Sequence, residues 1–145
     1  MRKPNCGSHP EIRDYGCEPL LFNIQHATCM NANFRTVLWT GRDMQLTLMS
    51  IPVCGEIGAE MHSDVDQFIR IESGHAKVLM GGCPNTLHEV GCVDGHDAIL
   101  IPAGTWHNIV NDGRSPLKLY SLYAPPQHPR GTVHVTKADA ERAGH

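Results

Sequence analysis

The stretch GAEMHSDVDQF, residues 58–68, is rich in side chains that can bind a metal ion, and Glu60, His62 and Gln67 are the first candidates. Glu60 and His62 are two residues apart, so an extended backbone places both on the same face. After a polar turn, Gln67 opens a run typical of a β-strand, and it shares its strand face with two isoleucines. The pattern therefore directs a carboxylate, an imidazole and an amide oxygen toward one interior.

A second histidine is predicted to reach the same interior from a later strand. The segment PAGTWHNIVN, residues 102–111, places His107 on one face with Ile109 and Asn111, while Trp106 points to the opposite face. Because isoleucine is typical of a core face, His107 is expected to point inward. Four polar groups that meet in an interior each need a partner. A metal ion supplies one; the alternative is a polar cluster that binds an organic ligand directly.

Short β-type runs with Gly, Pro, Asn and Asp between them must position these groups. Their regular spacing predicts an all-β sandwich or barrel. Residues 72–75 and 111–116 are interpreted as hairpin turns. The predicted strands are 34–41, 44–52, 67–74, 75–82, 97–104, 106–113 and 116–126.

Helical signals are confined to the two ends of the chain. A short helix is expected within 20–30, and Thr136 can cap another over 136–143. The predicted organisation is an N-terminal arm at 1–29, a β domain at 30–125 and a C-terminal tail at 126–145. The tail, in which His128 and His134 lie, could fold over the barrel mouth, but we expect it to be a surface arm.

Composition excludes several classes of function. The chain has 145 residues and a net charge of −3, with no basic run, so we expect no nucleic-acid partner. It has neither the apolar core of a signal peptide nor an apolar run of the roughly 20 residues that span a bilayer, so we expect a cytoplasmic protein with no membrane partner. Its six cysteines form no CxxC pair and are expected to be reduced thiols.

The two polar segments together resemble the two sequence signatures of the cupins. The first signature, G-x5-H-x-H-x3-4-E-x6-G, corresponds here to E-x-H-x4-Q-x6-G, and the second, G-x5-P-x-G-x2-H-x3-N, is matched without a gap from its proline onward. The resemblance covers about residues 56–111, and it implies an all-β, single-domain cupin barrel, the double-stranded β-helix or jelly roll, with short arms at both ends. The matching positions are Glu60, His62, Gln67 and Gly74, then Pro102, Gly104, His107 and Asn111.

The chain departs from the family pattern at three positions. Glu60 stands where the family has its first histidine, and Gln67 stands where the family has its glutamate. The opening glycine of the second signature is displaced, so His96 is expected to occupy the glycine position and Asp97 the acidic position after it. The carboxylate and the neutral ligand have in effect exchanged places, which leaves the charge of the ligand set at −1.

The resemblance implies a mononuclear metal site formed by Glu60, His62, Gln67 and His107. An amide oxygen favours hard or borderline ions, so Mn, Fe, Ni and Zn all remain candidates. Glu60 is either a metal ligand or a catalytic general base, and the sequence leaves both open.

Three functions are compatible with this site. The first is a metal-dependent enzyme, such as a mannose-6-phosphate isomerase-like protein or a dioxygenase, acting on a sugar phosphate or organic acid. The others are a non-catalytic binding or sensor protein for such a small molecule, and a metal-free interaction protein. Small cupins are commonly homodimers, and Phe68 on the predicted outer face agrees with that.

Other polar residues rank lower as site candidates. Asp64 and Asp66 are predicted to lie in a solvated loop. Tyr120 and Tyr123 are expected to line either a dimer surface or a cavity.

Overall fold

The computed structural model describes residues 13–144 and consists mainly of antiparallel strands. Two helices flank nine strands, and a single 3₁₀ turn at Pro84–Thr86 lies between two of them. In chain order the elements are α1 Ile24–Met30, β1 Arg35–Thr40, β2 Gln45–Ile51, β3 Asp66–Ser73, β4 His75–Gly81, β5 His88–Asp94, β6 Ala98–Ile101, β7 Trp106–Asn111, β8 Leu117–Ala124, β9 Val133–His134 and α2 Lys137–Arg142.

The strands form two sheets that enclose one core. The larger sheet has the order β6-β3-β8-β2-β1-β9 and the smaller one the order β5-β4-β7. Glu56 and Glu60 form isolated bridges with Val110 and His107, so the segment between them extends the smaller sheet beyond β7. The predicted all-β, jelly-roll class is confirmed.

The interior changes from apolar to polar along the strands. On β3, Ile69 and Ile71 are fully buried, and the next inward residue on the same face is Gln67. On β8, Leu119 is fully buried, and Tyr123 stands at the polar end, where it is 1% exposed. Each buried isoleucine or leucine contributes roughly 1.5–3 kcal/mol to folding. The apolar half therefore supplies the core, and the polar half is left for chemistry.

The outer face of the larger sheet is partly covered by the N-terminal residues. Helix α1 begins after Asn23, whose side chain accepts a hydrogen bond from the backbone N–H of His26. Ala27 of this helix packs in a second apolar cluster with Leu48 and Tyr120. The helix expected within 20–30 is confirmed, and Tyr120 lies on the outer side of the sheet.

The prediction of hairpins at 72–75 and 111–116 is wrong. Strand β3 pairs with β6 and β8, whereas β4 pairs with β5 and β7, so both turns carry the chain from one sheet to the other. Gly74 makes the first corner with φ +103°, and a Cβ there would approach the backbone of Leu117 to 3.0 Å. Turn residues indicate where a chain reverses, but they do not identify the strand that pairs next.

The C-terminal tail is not the surface arm that was expected. His134 lies in β9, pairs with Arg35 of β1 and is 7% exposed. His128 is 6% exposed, and Ala140 of α2 packs into the main core. The cap at Thr136 is confirmed, since its side chain accepts from the Asp139 N–H and the Asp139 carboxylate accepts from the Thr136 N–H. The tail thus closes one side of the barrel.

The five cysteines within the described residues are free thiols: Cys17, Cys29, Cys54, Cys83 and Cys92. Cys6 lies outside the described residues. Between residues 13 and 144, no helix is both long and apolar enough to cross a membrane.

His96 occupies a backbone position suited to glycine. Its φ is +78°, in the left-handed region, as expected if it stands where the family has a glycine. That conformation costs an L-residue roughly 1–2 kcal/mol, while glycine carries a backbone entropy cost of roughly 0.5–1 kcal/mol. We expect His96→Gly to raise the free energy of unfolding by about 0.5–1 kcal/mol, measured by urea denaturation.

The matched control is Arg114→Gly, because Arg114 is exposed in a turn and lacks a positive φ. That substitution should lower the stability slightly. A loss of stability in His96→Gly of the size seen in Arg114→Gly would refute the backbone argument.

Candidate metal centre

The segment before β3 is held against β7 by backbone hydrogen bonds. Glu60 N–H donates to the His107 carbonyl at 3.0 Å, and His107 N–H donates to the Glu60 carbonyl at 2.9 Å. Two residues earlier, Gly58 N–H donates to Asn108 Oδ1 at 2.9 Å. Glu60 and His107 are thus directly opposite in an antiparallel pair, which places their side chains on the same face.

Glu60, His62 and His107 converge at the polar end of the barrel. Their potential ligand atoms all lie within 4.8 Å of one another. Glu60 Oε1 is 3.4 Å from His107 Nε2 and 3.6 Å from His62 Nε2. The side chain of His107 is 1% exposed, that of His62 is 9% exposed and that of Glu60 is 23% exposed, so the group is accessible from the Glu60 side.

A hydrogen bond fixes the proton of His107 on the nitrogen that faces away from the group. His107 Nδ1 lies 2.9 Å from the carbonyl oxygen of Thr105, which can only accept, so Nδ1 carries a proton. In the neutral ring Nε2 is then an unprotonated lone pair directed toward Glu60. A hydrogen bond from Nδ1 to a backbone carbonyl is the usual second contact of a metal-binding histidine.

The donor set fits a divalent cation. His62 Nε2 and His107 Nε2 are buried and have no hydrogen-bond partner among the described residues. Two donors about 2.1 Å from a tetrahedral ion are separated by about 3.4 Å, which is close to both distances from Glu60 Oε1. Two nitrogen lone pairs facing a carboxylate repel one another unless a positive charge lies between them. A metal ion provides that charge.

Glu60 is in the form that a cation requires. Burial acts to raise the pKa of its carboxyl group, but protons on the His107 and His62 nitrogens that face it outweigh burial and hold that pKa well below the ordinary value. A metal ion in the place of those protons acts in the same direction. The group is therefore a carboxylate at neutral pH.

Gln67 faces the same interior from β3. It is 3% exposed, and its Nε2 donates to Ser121 Oγ at 3.2 Å. Its Oε1 is buried and has no hydrogen-bond partner among the described residues, so the amide oxygen is available. Asp64 and Asp66 do not join the group; both are exposed, and Asp66 Oδ1 accepts from the Ala103 N–H at 2.9 Å.

Two aromatic rings form the inner wall beside the group. The rings of Tyr123 and His62 have centroids 5.7 Å apart, and those of Tyr123 and His128 are 5.2 Å apart. Burial, together with the charge of Glu60, raises the pKa of Tyr123 to about 12, so its phenol stays protonated. Of the two roles left open for Tyr123, the cavity is therefore the one that the structure supports. The contribution of His128 could not be read from the sequence, because nothing local marks its segment as inward.

The family of this protein is identified by a sequence match that extends well beyond the site residues. The sequence profile described as "Cupin domain" matches residues 47–123, which is more than half of the chain. The chain belongs to the cupin family. The matched range contains all four polar positions of the two signatures, Glu60, His62, Gln67 and His107. Glu60, His62 and His107 of this cupin form the candidate metal site.

Close relatives of this cupin occur in a bacterium and in a virus. It is 54% identical over 132 residues to the uncharacterized protein YrkC of Bacillus subtilis (strain 168), which covers 91% of this cupin and 71% of the relative. It is 40% identical over 123 residues to the uncharacterized protein L612 of Acanthamoeba polyphaga mimivirus, covering 84% and 75% respectively. The crystal structure of BH2720 from Bacillus halodurans superposes with a TM-score of 0.88 at 53% identity, covering 90% of this cupin and 99% of that chain.

Proposed function

We propose that this cupin binds one divalent transition-metal ion and acts as a metal-dependent enzyme on a small polar molecule. Glu60, His62 and His107 are the proposed ligands, with Gln67 Oε1 as a fourth and weaker contact. The observation that carries the proposal is the pair of buried Nε2 atoms that face one carboxylate without hydrogen-bond partners. One metal ion would satisfy both nitrogens and the carboxylate together.

The ligand atoms restrict the choice of metal ion but do not select a single element. Two imidazoles and a carboxylate suit Mn, Fe, Ni and Zn, and an amide oxygen disfavours soft ions. Two histidines and one carboxylate with open positions are the ligand set of many non-haem iron sites. Because Glu60 Oε1 lies within 3.6 Å of both imidazole nitrogens, we assign it as a ligand rather than as a free general base.

The reaction is proposed to use the ion's effect on an oxygen atom of the substrate. A bound metal ion would act as a Lewis acid on a carbonyl, carboxylate or enediol oxygen. The protonated phenol of Tyr123 can donate a hydrogen bond within this interior, while Glu60 and the two histidines hold the centre. A sugar phosphate and an organic acid are the proposed substrate classes, so both a mannose-6-phosphate isomerase-like reaction and a dioxygenase reaction are compatible with this chemistry.

The proposal is tested with metabolites rather than with a guessed substrate. Untagged protein purified without chelators is incubated with a small-molecule extract of a bacterial culture, and the extract is compared before and after by mass spectrometry. We expect one metabolite to be consumed and another to form, and we expect EDTA treatment and His107→Ala each to abolish the change. Enrichment of a metabolite on the protein without consumption would instead indicate a binding or sensor protein.

We also propose a cytoplasmic location for this cupin. The five described cysteines are free, which is typical of proteins in a reducing compartment.

We propose that this cupin forms a homodimer through the outer face of its larger sheet. Phe68 is directly opposite Leu100 of β6 on one side and Leu122 of β8 on the other, so these side chains form an apolar row. Leu100 is 74% exposed and lines a groove of about 430 Å³ with Met44, which is 47% exposed. Strand β6 is the edge of its sheet, so a second copy can pair there about a two-fold axis.

We expect Leu100→Asp to convert the dimer to a monomer, because it places a charge in the apolar row at the edge strand, where the second copy is proposed to pair. The measurement is the molar mass by light scattering after size exclusion. Val135→Asp is the matched control, since Val135 is 61% exposed but lies outside the row. A monomeric wild-type protein, or a dimeric Leu100→Asp variant, would contradict this interface.

A further inference from the structure

Arg35 is a buried cation without a matching buried anion. It is 2% exposed, and no carboxylate of residues 13–144 forms an ion pair with it. Its Nη1 lies 3.3 Å from His134 Nδ1, and its Nε is buried without a hydrogen-bond partner among the described residues. A charged group that is buried in this way costs free energy, and such a cost is tolerated where the group has a function.

Arg35 lines a crevice that also includes Glu60 of the proposed metal centre. Arg35 and Glu60 line the same cavity, which has a volume of about 180 Å³ and is also lined by Lys137, Ala140 and Glu141 of α2. The charge of Arg35 also acts on the phenol of Tyr123 and lowers its pKa, against the larger effect of burial. Arg35 and Glu60 of the proposed centre therefore border one space.

The charges of the crevice favour an anion once the centre holds a metal. Two cations, Arg35 and Lys137, are balanced there by two carboxylates, Glu60 and Glu141. A divalent ion bound by Glu60 adds two positive charges to this enclosed space. Lys137 is already shared between Glu56 and Glu141, at 3.9 Å from each, so Arg35 is the cation that remains available.

We propose that Arg35 binds the carboxylate group of a small organic acid, and that a second oxygen of the same molecule reaches the metal centre. The inference rests on the proposed function and specifies its substrate class. The planar guanidinium matches a carboxylate through two parallel hydrogen bonds, whereas an ammonium group acts only as a point charge. The crevice is smaller than the roughly 300–1,000 Å³ of pockets for drug-sized ligands, which favours a molecule of few atoms.

The experiment measures metal content and acid binding separately. Elemental analysis gives the metal per chain for wild type, Arg35→Gln, Arg35→Lys and Arg42→Gln. Isothermal titration calorimetry then gives the affinity of the Ni²⁺-loaded and metal-free proteins for four organic acids: acetate, lactate, oxalate and malonate. Methyl phosphate is titrated as an anion without a carboxylate group, and glycerol as an uncharged polar molecule. Arg42 is the matched control, because it is an exposed arginine paired only with its neighbour Asp43.

We expect Arg35→Gln to retain its metal and to bind the best of the four acids at least about tenfold more weakly than wild type. Arg35→Lys should lose less affinity than Arg35→Gln, and Arg42→Gln should match wild type. If Arg35→Gln does not fold, Arg35→Lys decides by the same comparison.

Equal affinity of wild type and the Arg35 variants for every acid, with metal present, would overturn the inference, as would the failure of wild type to bind any of them. Arg35-dependent binding of methyl phosphate that is tighter than that of any acid would overturn the assignment of a carboxylate. A wild-type protein without metal would instead refute the proposed function. Arg35-dependent binding of an acid to that metal-free protein would still support the anchoring role.

Discussion

His107→Ala is expected to weaken the binding of a divalent metal ion by at least about a hundredfold. Loss of groups that merely orient metal ligands already costs roughly 10–100-fold in affinity, and His107 is itself a proposed ligand. Its Nε2 lies 3.4 Å from Glu60 Oε1, and its ring is fixed by the hydrogen bond to the Thr105 carbonyl. The alanine variant leaves only one imidazole beside Glu60. The measurement is titration calorimetry with Ni²⁺, Zn²⁺ and Mn²⁺ on protein freed of metal.

The matched control is His75→Ala. His75 also lies beside carboxylates, with Nδ1 2.6 Å from Asp112 Oδ1 and Nε2 3.9 Å from Asp94 Oδ1, but its side chain is 40% exposed and belongs to a different surface. This variant should retain wild-type affinity. Equal losses in the two variants would indicate a nonspecific effect of removing a histidine, and no loss in either would place the metal elsewhere.

Asn111→Ala is expected to lower the free energy of unfolding by about 2–4 kcal/mol. Asn111 is 2% exposed, and its Nδ2 shares two hydrogens among the carbonyl oxygens of Ile51, Pro52 and Ser115, at 3.0, 3.2 and 3.0 Å. Its Oδ1 accepts from Gly113 N–H at 2.9 Å. Alanine leaves these backbone groups without their partner. Urea denaturation followed by circular dichroism gives the change.

Asn85→Ala serves as the control for this substitution. Asn85 is exposed in the 3₁₀ turn, so its removal should change stability by no more than about 0.5 kcal/mol. If Asn111→Ala were as stable as Asn85→Ala, the hydrogen bonds of Asn111 would not be stabilising the loop after β2, at Ile51 and Pro52, or the loop after β7, at Gly113 and Ser115. In that case its place in the second cupin signature would need another explanation.

The candidate metal centre could be predicted from the sequence because its geometry is largely local. Glu60 and His62 share a face by simple alternation, and His107 faces the core because Ile109 does. The pairing of Glu60 with His107 was beyond local reasoning, since it depends on a bridge between segments 47 residues apart. The order of the two signatures supplied that missing contact.

Other features could not be predicted, for reasons that differ from one to the next. Strand β5 buries only Val93, so it lacks the alternation that marks a half-buried strand. The Pro-rich tail was expected to be a surface arm, yet His134 pairs with Arg35. Arg35 itself was missed because an arginine in a strand is usually exposed, and its burial depends on the tail that covers it.

The exchange of Glu60 and Gln67 relative to the family pattern changes where the charge of the centre lies. The carboxylate is on the short segment beside β7, while the neutral amide is on β3 and donates to Ser121. The carboxylate thereby borders the same crevice as Arg35. A substrate entering there would meet an arginine and the carboxylate side of the centre together, an arrangement that the usual order of ligands would not give.

The most direct test of the metal centre is anomalous X-ray diffraction from crystals of untagged protein prepared without chelators. We predict a single strong peak about 2.0–2.2 Å from Glu60 Oε1, His62 Nε2 and His107 Nε2, with an absorption edge that identifies the element. Electron density showing these three side chains in place with no peak between them, even after soaking in Ni²⁺ or Zn²⁺, would contradict it.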